Sequence, residues 1–379
     1  VQQGAPRQHL REVVTVMLQL GTIAFGGPAV HVAMLREEAV RRRAWLEDEE
    51  FLDLFAAVSV LPGPSSTQLA IVLSRRRAGW WGLVLGGICF IAPAMAIVLV
   101  LAWAYVHYGT TPAGDGILYG VEPVVVAIVA VALWELGRSA IKQRWYWVLG
   151  LVALAAYVAR INVLVPLLVS GAVTSLVANR HRISRLHALV PVAPLVPTAV
   201  ASRTRPGTVE VLAEFVKLGA VVFGSGYVLL AFLRADLVSH LHWLTEQQVL
   251  DAVAAGQVTP GPVFTTATFV GYLLGGVPLA LVATAGIFLP SFVMVAVLEP
   301  FVGRIRRSPW LGPALEGVTV AALALMAGVT LDLGRHAITD PLTALLAAAA
   351  LAVLLRWRPN AMLLIGAGAA IGLLHGVLL

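Results

Sequence analysis

Two Pro-Gly-Pro triplets, Pro62-Gly63-Pro64 and Pro260-Gly261-Pro262, are each followed closely by hydroxyl side chains. Ser65, Ser66 and Thr67 follow the first; Thr265, Thr266 and Thr268 follow the second, with Thr259 just before it. Proline removes a backbone donor and clashes with the preceding turn, so neither triplet fits inside a continuous helix. A helix starting after Pro64 or Pro262 leaves its first N–H groups without partners in the helix. Those groups carry partial positive charge and suit an anion. The alternative is a structural kink whose hydroxyls bond back to the preceding turn. Repetition of the break, with hydroxyls both times, favours the anion site.

Glycines form a second repeated break: Gly26 and Gly27 in Phe25-Gly26-Gly27-Pro28, and Gly224, Ser225 and Gly226 after Phe223. They either let backbone approach a ligand or allow two helices to touch closely. Lys217 lies in the middle of an apolar run, where an ammonium needs an anion, water or an ion-pair partner such as Glu214 or Glu122. Its equivalent in the first half is Gln19. Arg36 and Asp53 recur as Arg234 and Asp251, which reads as a structural ion pair beside each break or as a gating relay. Glu122 is the acid most clearly inside an apolar run and is placed to exchange a proton; Thr319 stands at its equivalent. His240 and His242 have no further ligands at metal spacing, so neither a metal nor a cofactor is expected.

The chain that must position these residues has 379 of them, 59% hydrophobic and only 12% charged. A soluble domain carries about 25% charged residues. The deficit excludes a soluble enzyme, a disordered chain and a nucleic-acid binder. The net charge of +6 sits in short Arg clusters between apolar runs, as in cytoplasmic membrane loops. Cys89 is the single cysteine and reads as a small core residue. Residues 1–11 are polar and lack a signal-peptide pattern. The fold expected is an all-α polytopic membrane protein in the cell (inner) membrane.

The second half repeats the first. Residues 25–64 align without gaps on residues 223–262, with identity at more than a third of the positions. Glu135-Leu136-Gly137-Arg138 likewise recurs as Asp332-Leu333-Gly334-Arg335. Residues 1–178 form the first repeat, 179–207 a cytoplasmic linker and 208–379 the second repeat. Arginine clusters at 41–43 and 75–77 in the first half, while 107–116 has no Lys or Arg. In the second half 239–241 and 272–276 have none, and Arg304, Arg306 and Arg307 appear where the first half has no basic residue. Equivalent loops therefore lie on opposite faces, which predicts inverted-topology repeats of the kind found in transporters. Inversion calls for an odd number of crossings per half. Five result if the segment broken at Pro-Gly-Pro is re-entrant, giving about ten spanning helices with both termini outside.

The motifs Phe-Gly-Gly-Pro…Trp-Leu…Pro-Gly-Pro (25–64) and Phe-Gly-Ser-Gly-Tyr-Val-Leu…Trp-Leu…Thr-Pro-Gly-Pro-Val-Phe-Thr-Thr-Ala-Thr-Phe (223–269) resemble the long-chain chromate ion transporter family. The resemblance runs through both halves in order. It implies export of chromate from the cytoplasm, with resistance as the result, and a fused pair of short-chain subunits. The family pattern places Asn and then Glu where Ser65 and Gln68 stand here, and often a basic residue at Gln19. Chromate and sulfate are similar tetrahedral dianions, so a carrier of sulfate or another oxyanion, even an importer, stays open, as do an anion channel, proton coupling and a homodimer. An enzyme is not expected, since the chain lacks convergent His, Cys or paired carboxylates.

Overall fold

The computed structural model describes residues 6–24, 28–59, 61–141, 143–180, 206–222, 228–298, 308–357, 359 and 361–378. Among them are fourteen helices and no strand. The first half holds α1 (Pro6–Ile23), α2 (Pro28–Arg36, continued by a π-helical turn, Glu37–Arg42), α3 (Asp48–Val58) and α4 (Ser65–Tyr108). It ends with α5 (Pro112–Ala140), α6 (Tyr146–Val158) and α7 (Leu164–Ala178). The second half answers with α8 (Thr208–Val221), α9 (Val228–Leu233, continued by the π-helical turn Arg234–His240), α10 (Glu246–Val258) and α11 (Thr266–Leu298). Last come α12 (Leu311–Ala337), α13 (Pro341–Trp357) and α14 (Ala361–Leu378).

Four stretches, Ser65–Tyr108, Pro112–Arg138, Val263–Val297 and Leu311–Ala337, are long and apolar enough to cross a bilayer. Large apolar side chains such as Trp80, Trp81, Leu151 and Leu363 face outward, a surface suited to lipid. The chain is an integral multi-pass membrane protein. α4 and α11 are each two arms. α4 bends at Ala78–Gly79, where Gly79 has φ +64°, and α11 bends at Gly275–Gly276, where Gly276 has φ +68°. A side chain at either glycine would be strained in that region.

Contacts at the helix ends show how the chain runs. Glu12, near the start of α1, accepts from Arg43 at 3.3 Å, Trp45 at 3.0 Å and Arg77 at 2.8 Å. At the other end of α1, His31 of α2 bonds the Ala24 carbonyl at 2.9 Å and Ser66 Oγ at 3.3 Å. So α1 and α2 form one hairpin, and α3 with the short arm of α4 (65–77) forms another. Both open at the end that carries the arginines of 41–43 and 75–77. In the second half Lys217 of α8 reaches Asp236 at 3.1 Å, so α8 and α9 also fold back on each other.

The hairpins of the second half open the other way. Arg75 donates to the carbonyls of Val295 and Ala296 at 3.0 and 2.9 Å, at the far end of the long arm of α11. The start of that arm, and the hairpins joined to it, therefore lie at the opposite end of the molecule. Beyond the hairpins each half continues with four helices: α4 (long arm) to α7, and α11 (long arm) to α14. Of about ten spans expected from the sequence, four are long and apolar enough to cross on their own, and α6, α7, α13 and α14 are shorter apolar helices. The start of α1 lies at the Arg-rich end, not at the opposite one, which accords with Arg7 and Arg11 nearby. Asn179 also lies there, donating to the Pro309 carbonyl at 2.8 Å, whereas Gly207, the N-cap of α8, lies at the other end. Residues 181–205 of the expected linker, and Arg304, Arg306 and Arg307, lie outside the described residues.

The two halves also exchange their last hairpins. α6 and α7 lie along α12, through Tyr146 to Glu316, Tyr157 to Asp332 (2.7 Å) and Ser175 to the Trp310 carbonyl (2.9 Å). α13 and α14 lie along α5, through Tyr119 to Asp340 (2.7 Å) and the close-packed Gly116, Gly120, Gly368 and Gly372.

Candidate functional site at the crossed breaks

The two Pro-Gly-Pro breaks are docked reciprocally. Gly63 N–H donates to the Val222 carbonyl at 2.6 Å, and Gly261 N–H to the Ala24 carbonyl at 3.0 Å. Ala24 and Val222 are equivalent positions, each just past the end of its half's first helix. Each break therefore caps the first hairpin of the other half, and both sit at the seam. Gly63 and Gly261 have φ of +108° and +90°, which explains the glycine in both triplets. A Cβ on Gly63 would come within 2.7 Å of Ser291 Oγ and 2.8 Å of Gln68 Nε2, and one on Gly261 within 2.9 Å of Ala94 Cβ. Ala94 and Ser291 are themselves equivalent, each following a proline, Pro93 or Pro290, in a long arm.

The helix starts differ. After Pro64 the α-helix begins at Ser65 with no side-chain cap, and its first backbone bond is Gln68 N–H to the Pro64 carbonyl at 2.9 Å. The N–H groups of Ser65, Ser66 and Thr67 find no partner among the described residues. After Pro262 a 3₁₀ turn, Val263–Thr265, takes up one of the corresponding groups: Thr265 N–H bonds the Pro262 carbonyl at 3.0 Å, while the N–H groups of Val263 and Phe264 find no partner among the described residues. The hydroxyls there bond locally too. Thr265 donates to the Pro262 carbonyl and Thr266 to that of Val263, both at 2.8 Å, and Thr268 meets Thr284 at 2.7 Å. At the second break the kink alternative describes the hydroxyls of Thr265 and Thr266.

Each half carries the repeated ion pair, though the acid is not the expected one and the pair lies at the far end of the hairpin from the break. Arg36 bonds Asp48 through Nε at 2.6 Å and through Nη2, rather than Asp53. That bond holds the Asp48 carboxyl below its ordinary pKa, at the outer end of α3. Arg234 pairs with Glu246, the equivalent of Asp48, at 2.7 Å, and adds Asp332 at 3.1 Å and Tyr157. The repeated ion pair exists, shifted by about one and a half turns along α3 and α10. Asp53 also has an interaction partner. Asp251 instead accepts from Tyr105 at 2.8 Å and from Gln247 at 3.3 Å, and the same Gln247 amide donates to Glu122. Two buried carboxylates from α5 and α10 thus share one amide bridge. Lys217 is held by Glu214 at 2.6 Å and Asp236 at 3.1 Å, so its ammonium is already answered by two acids. Of the two structural partners foreseen for it, Glu214 is the one used.

Gly26, Gly27, Gly224, Ser225 and Gly226 lie outside the described residues. The structure brings Pro62, Gly63, Pro64, Ser65 and Ser66 to the seam with Pro260, Gly261 and Pro262, and it adds residues that sequence reasoning missed. His31 ties the two hairpin ends of the first half together. Ser291 faces Gly63 from the other half. Tyr105 and Gln247 complete the Glu122–Asp251 pair. Comparison of the two repeats offered a signal for Ser291, since it replaces Ala94 beside a repeated proline; for His31, opposite Leu229, the signal was a lone polar residue in an apolar helix.

The family model described as chromate transporter matches residues 11–176 and 209–373, one block in each half. The chain is 33% identical over 374 residues to a chromate transport protein of Cupriavidus metallidurans, covering 97% of this chain and 93% of that protein. It is 34% identical over 343 residues to a probable chromate transport protein of Synechococcus elongatus, covering 88% and 87%. A chromate transport protein of Pseudomonas aeruginosa is 31% identical over 346 residues, covering 87% and 82%. No solved structure matches the chain at a significant level. With both halves matched in order and relatives aligned over most of their length, the chain belongs to the chromate transporter family.

Proposed function

We propose that the protein is a secondary active transporter of the inner membrane that exports chromate from the cytoplasm and so confers resistance. The reciprocal docking of the two Pro-Gly-Pro breaks carries this reading. It sets broken helices, with free N–H groups, at the contact between two oppositely opening halves, an arrangement suited to alternating access around one anion. Broken backbone at this depth is tolerated only where protein or a wet cavity surrounds it. The Arg-rich end, with Arg41–Arg43 and Arg75–Arg77, is the cytoplasmic one by the charge rule. Lys217 is left out of the anion site, because its two carboxylate partners give that trio a net negative charge.

Coupling falls to Glu122 and Asp251. Two carboxylates bridged by one amide and buried together repel each other when both are ionised, so the pair favours holding one proton. They lie toward the Arg-poor end, where a proton entering from outside would arrive first. The test is uptake of radiolabelled chromate into inverted vesicles, with and without a pH gradient. An acid interior should drive accumulation above equilibrium, and Glu122→Gln should abolish the drive while chromate exchange persists. Equal uptake with and without the gradient would remove the proton from the mechanism; no uptake in either case would remove chromate export.

A further inference from the structure

Three buried side chains at the first break have hydrogen-bonding capacity that nothing answers. Thr67 Oγ1, Gln68 Oε1 and Ser291 Oγ lack partners among the described residues, and all three residues are 0% exposed. Ser291 Oγ and Gln68 Nε2 both pack closely on Gly63, within 2.7 and 2.8 Å of where a Cβ would sit, so only a glycine leaves these polar groups room at the break. The uncapped helix start at Ser65 lies on the same loop. Buried polar groups are nearly always paired, so three unpaired side chains at one break, two of them from residues that pack on Gly63, point to a ligand.

The chemistry of the three atoms narrows that ligand. Gln68 Nε2 donates to the Pro62 carbonyl, which fixes the amide; turned over, it would set two carbonyl oxygens against each other. The unanswered amide atom is therefore an acceptor. Thr67, Ser291 and the free N–H groups donate. A fully ionised tetrahedral oxyanion only accepts, and would leave Gln68 Oε1 unpaired. Its singly protonated form accepts on three oxygens and donates from the fourth. Charge agrees. A helix start supplies only about half a positive charge. The titratable groups around the break add no free one: His31 of α2 is engaged with Ala24 and Ser66, and Lys217 of α8 with Glu214 and Asp236. Asp251 belongs to the hairpin of the second break, and Glu122 of α5 is bridged to it by Gln247.

We infer that the first break binds the hydrogen form of the oxyanion, a monoanion whose O–H is accepted by Gln68 Oε1 and whose oxygens are held by Thr67, Ser291 and the helix start. This deepens the proposed chromate site and rests on it. Chromate takes up a proton near neutral pH, whereas sulfate and selenate do so only in strong acid. The site then separates chromate from tetrahedral dianions of similar size by a proton rather than by shape. A site built to bond a substrate hydroxyl rejects an analogue without one, since its own acceptor is left unpaired.

The experiment is equilibrium binding of chromate and of selenate, each alone, to the purified full chain in detergent at about pH 6 and about pH 8. Selenate should bind at least about 10-fold more weakly than chromate at the lower pH. Chromate affinity should fall about tenfold per pH unit once the anion has lost its proton, narrowing the gap. The ratio of the two affinities cancels the titration of His31. Gln68→Met should bring the ratio to within about threefold of unity, whereas Ser291→Ala should weaken both anions alike. Selenate binding as tightly as chromate at both pH values, or a ratio unchanged by Gln68→Met, overturns the inference. Should the Gln68 variant fail to fold, the pH series on the unaltered protein still decides. Vesicles that accumulate chromate while the ratio is unity refute this inference alone; vesicles that accumulate none refute the proposed function with it.

Discussion

At Pro62–Pro64 the following helix opens with unpaired N–H groups and three unanswered side chains. At Pro260–Pro262 a 3₁₀ turn pairs one of the corresponding N–H groups, and local bonds answer the hydroxyls of Thr265 and Thr266. The backbones match even to the positive φ of the central glycine. What differs is the demand left for a ligand. The arginines at the outer ends of the hairpins also diverge: the Arg36 side chain is 40% exposed with Asp48 beside it, and the Arg234 side chain is 17% exposed among Glu246, Asp332 and Tyr157. Duplication preserved the geometry that crosses the halves and left each copy free to diverge, one break with unanswered polar side chains and the other with locally bonded hydroxyls.

The strongest challenge to this comparison is topological, because its outcome is all or none. Ala44 and His242 are equivalent, exposed and both in the left-handed region, with φ of 48° and 53°. Cysteines placed there, in a Cys89→Ser background, should react with an impermeant label from opposite faces of sealed vesicles. Reaction from one face ends the inverted reading. Next come the two glycines. Alanine at a positive φ costs about 1–3 kcal/mol in either triplet. At Gly63 the methyl also displaces Ser291 and Gln68, whereas at Gly261 it meets only Ala94 and backbone. Gly63→Ala should lower chromate transport by about 100-fold and Gly261→Ala by about 10-fold, at matched membrane levels. Equal losses would mean that both breaks serve the anion alike.

Stability sharpens the contrast further. Leaving a partly buried acid unpaired costs roughly 3–5 kcal/mol, so Arg234→Gln should lower the unfolding temperature in detergent clearly. Arg36→Gln should scarcely move it, since its pair is open to water. The smallest effect is expected at Lys217. With its charge spent on Glu214 and Asp236, Lys217→Met should leave apparent chromate affinity within about threefold. A loss of tenfold or more would return the lysine to the anion site.

Much of this arrangement is legible in the sequence. The helical, membrane-embedded class follows from composition, the repeat from the offset of 198 between Pro62 and Pro260, and the breaks from proline chemistry. The hairpin character of α1 is not, because an apolar run of that length reads the same whether it crosses or turns back after Ala24. Only the bonds from Glu12 to Arg43 and Arg77 decide it. The partner of Arg36 was misread for a related reason. Asp53 recurs identically as Asp251, while the true pair varies between Asp48 and Glu246. Conserved charge in a changed side chain leaves a weaker trace than an identical letter. Ser291 leaves only the trace of a serine that replaces Ala94 beside a repeated proline; its meeting with Gly63 is not legible, because it comes from the other half.

The exchange of terminal hairpins sets an order for how the protein is made. α6 and α7 leave the ribosome well before α12, the helix they pack along. Until residues 311–337 have been inserted, Tyr146 and Tyr157 have no acids to meet, and the first half must wait in the bilayer with an unclaimed flank. The last hairpin, by contrast, finds α5 already in place through Tyr119 and the paired glycines. Biogenesis therefore ends in a clasp rather than in the docking of two finished bodies. A cut between residues 179 and 207 after assembly should not release the halves, whereas the first half synthesised alone should be a substrate for membrane quality control.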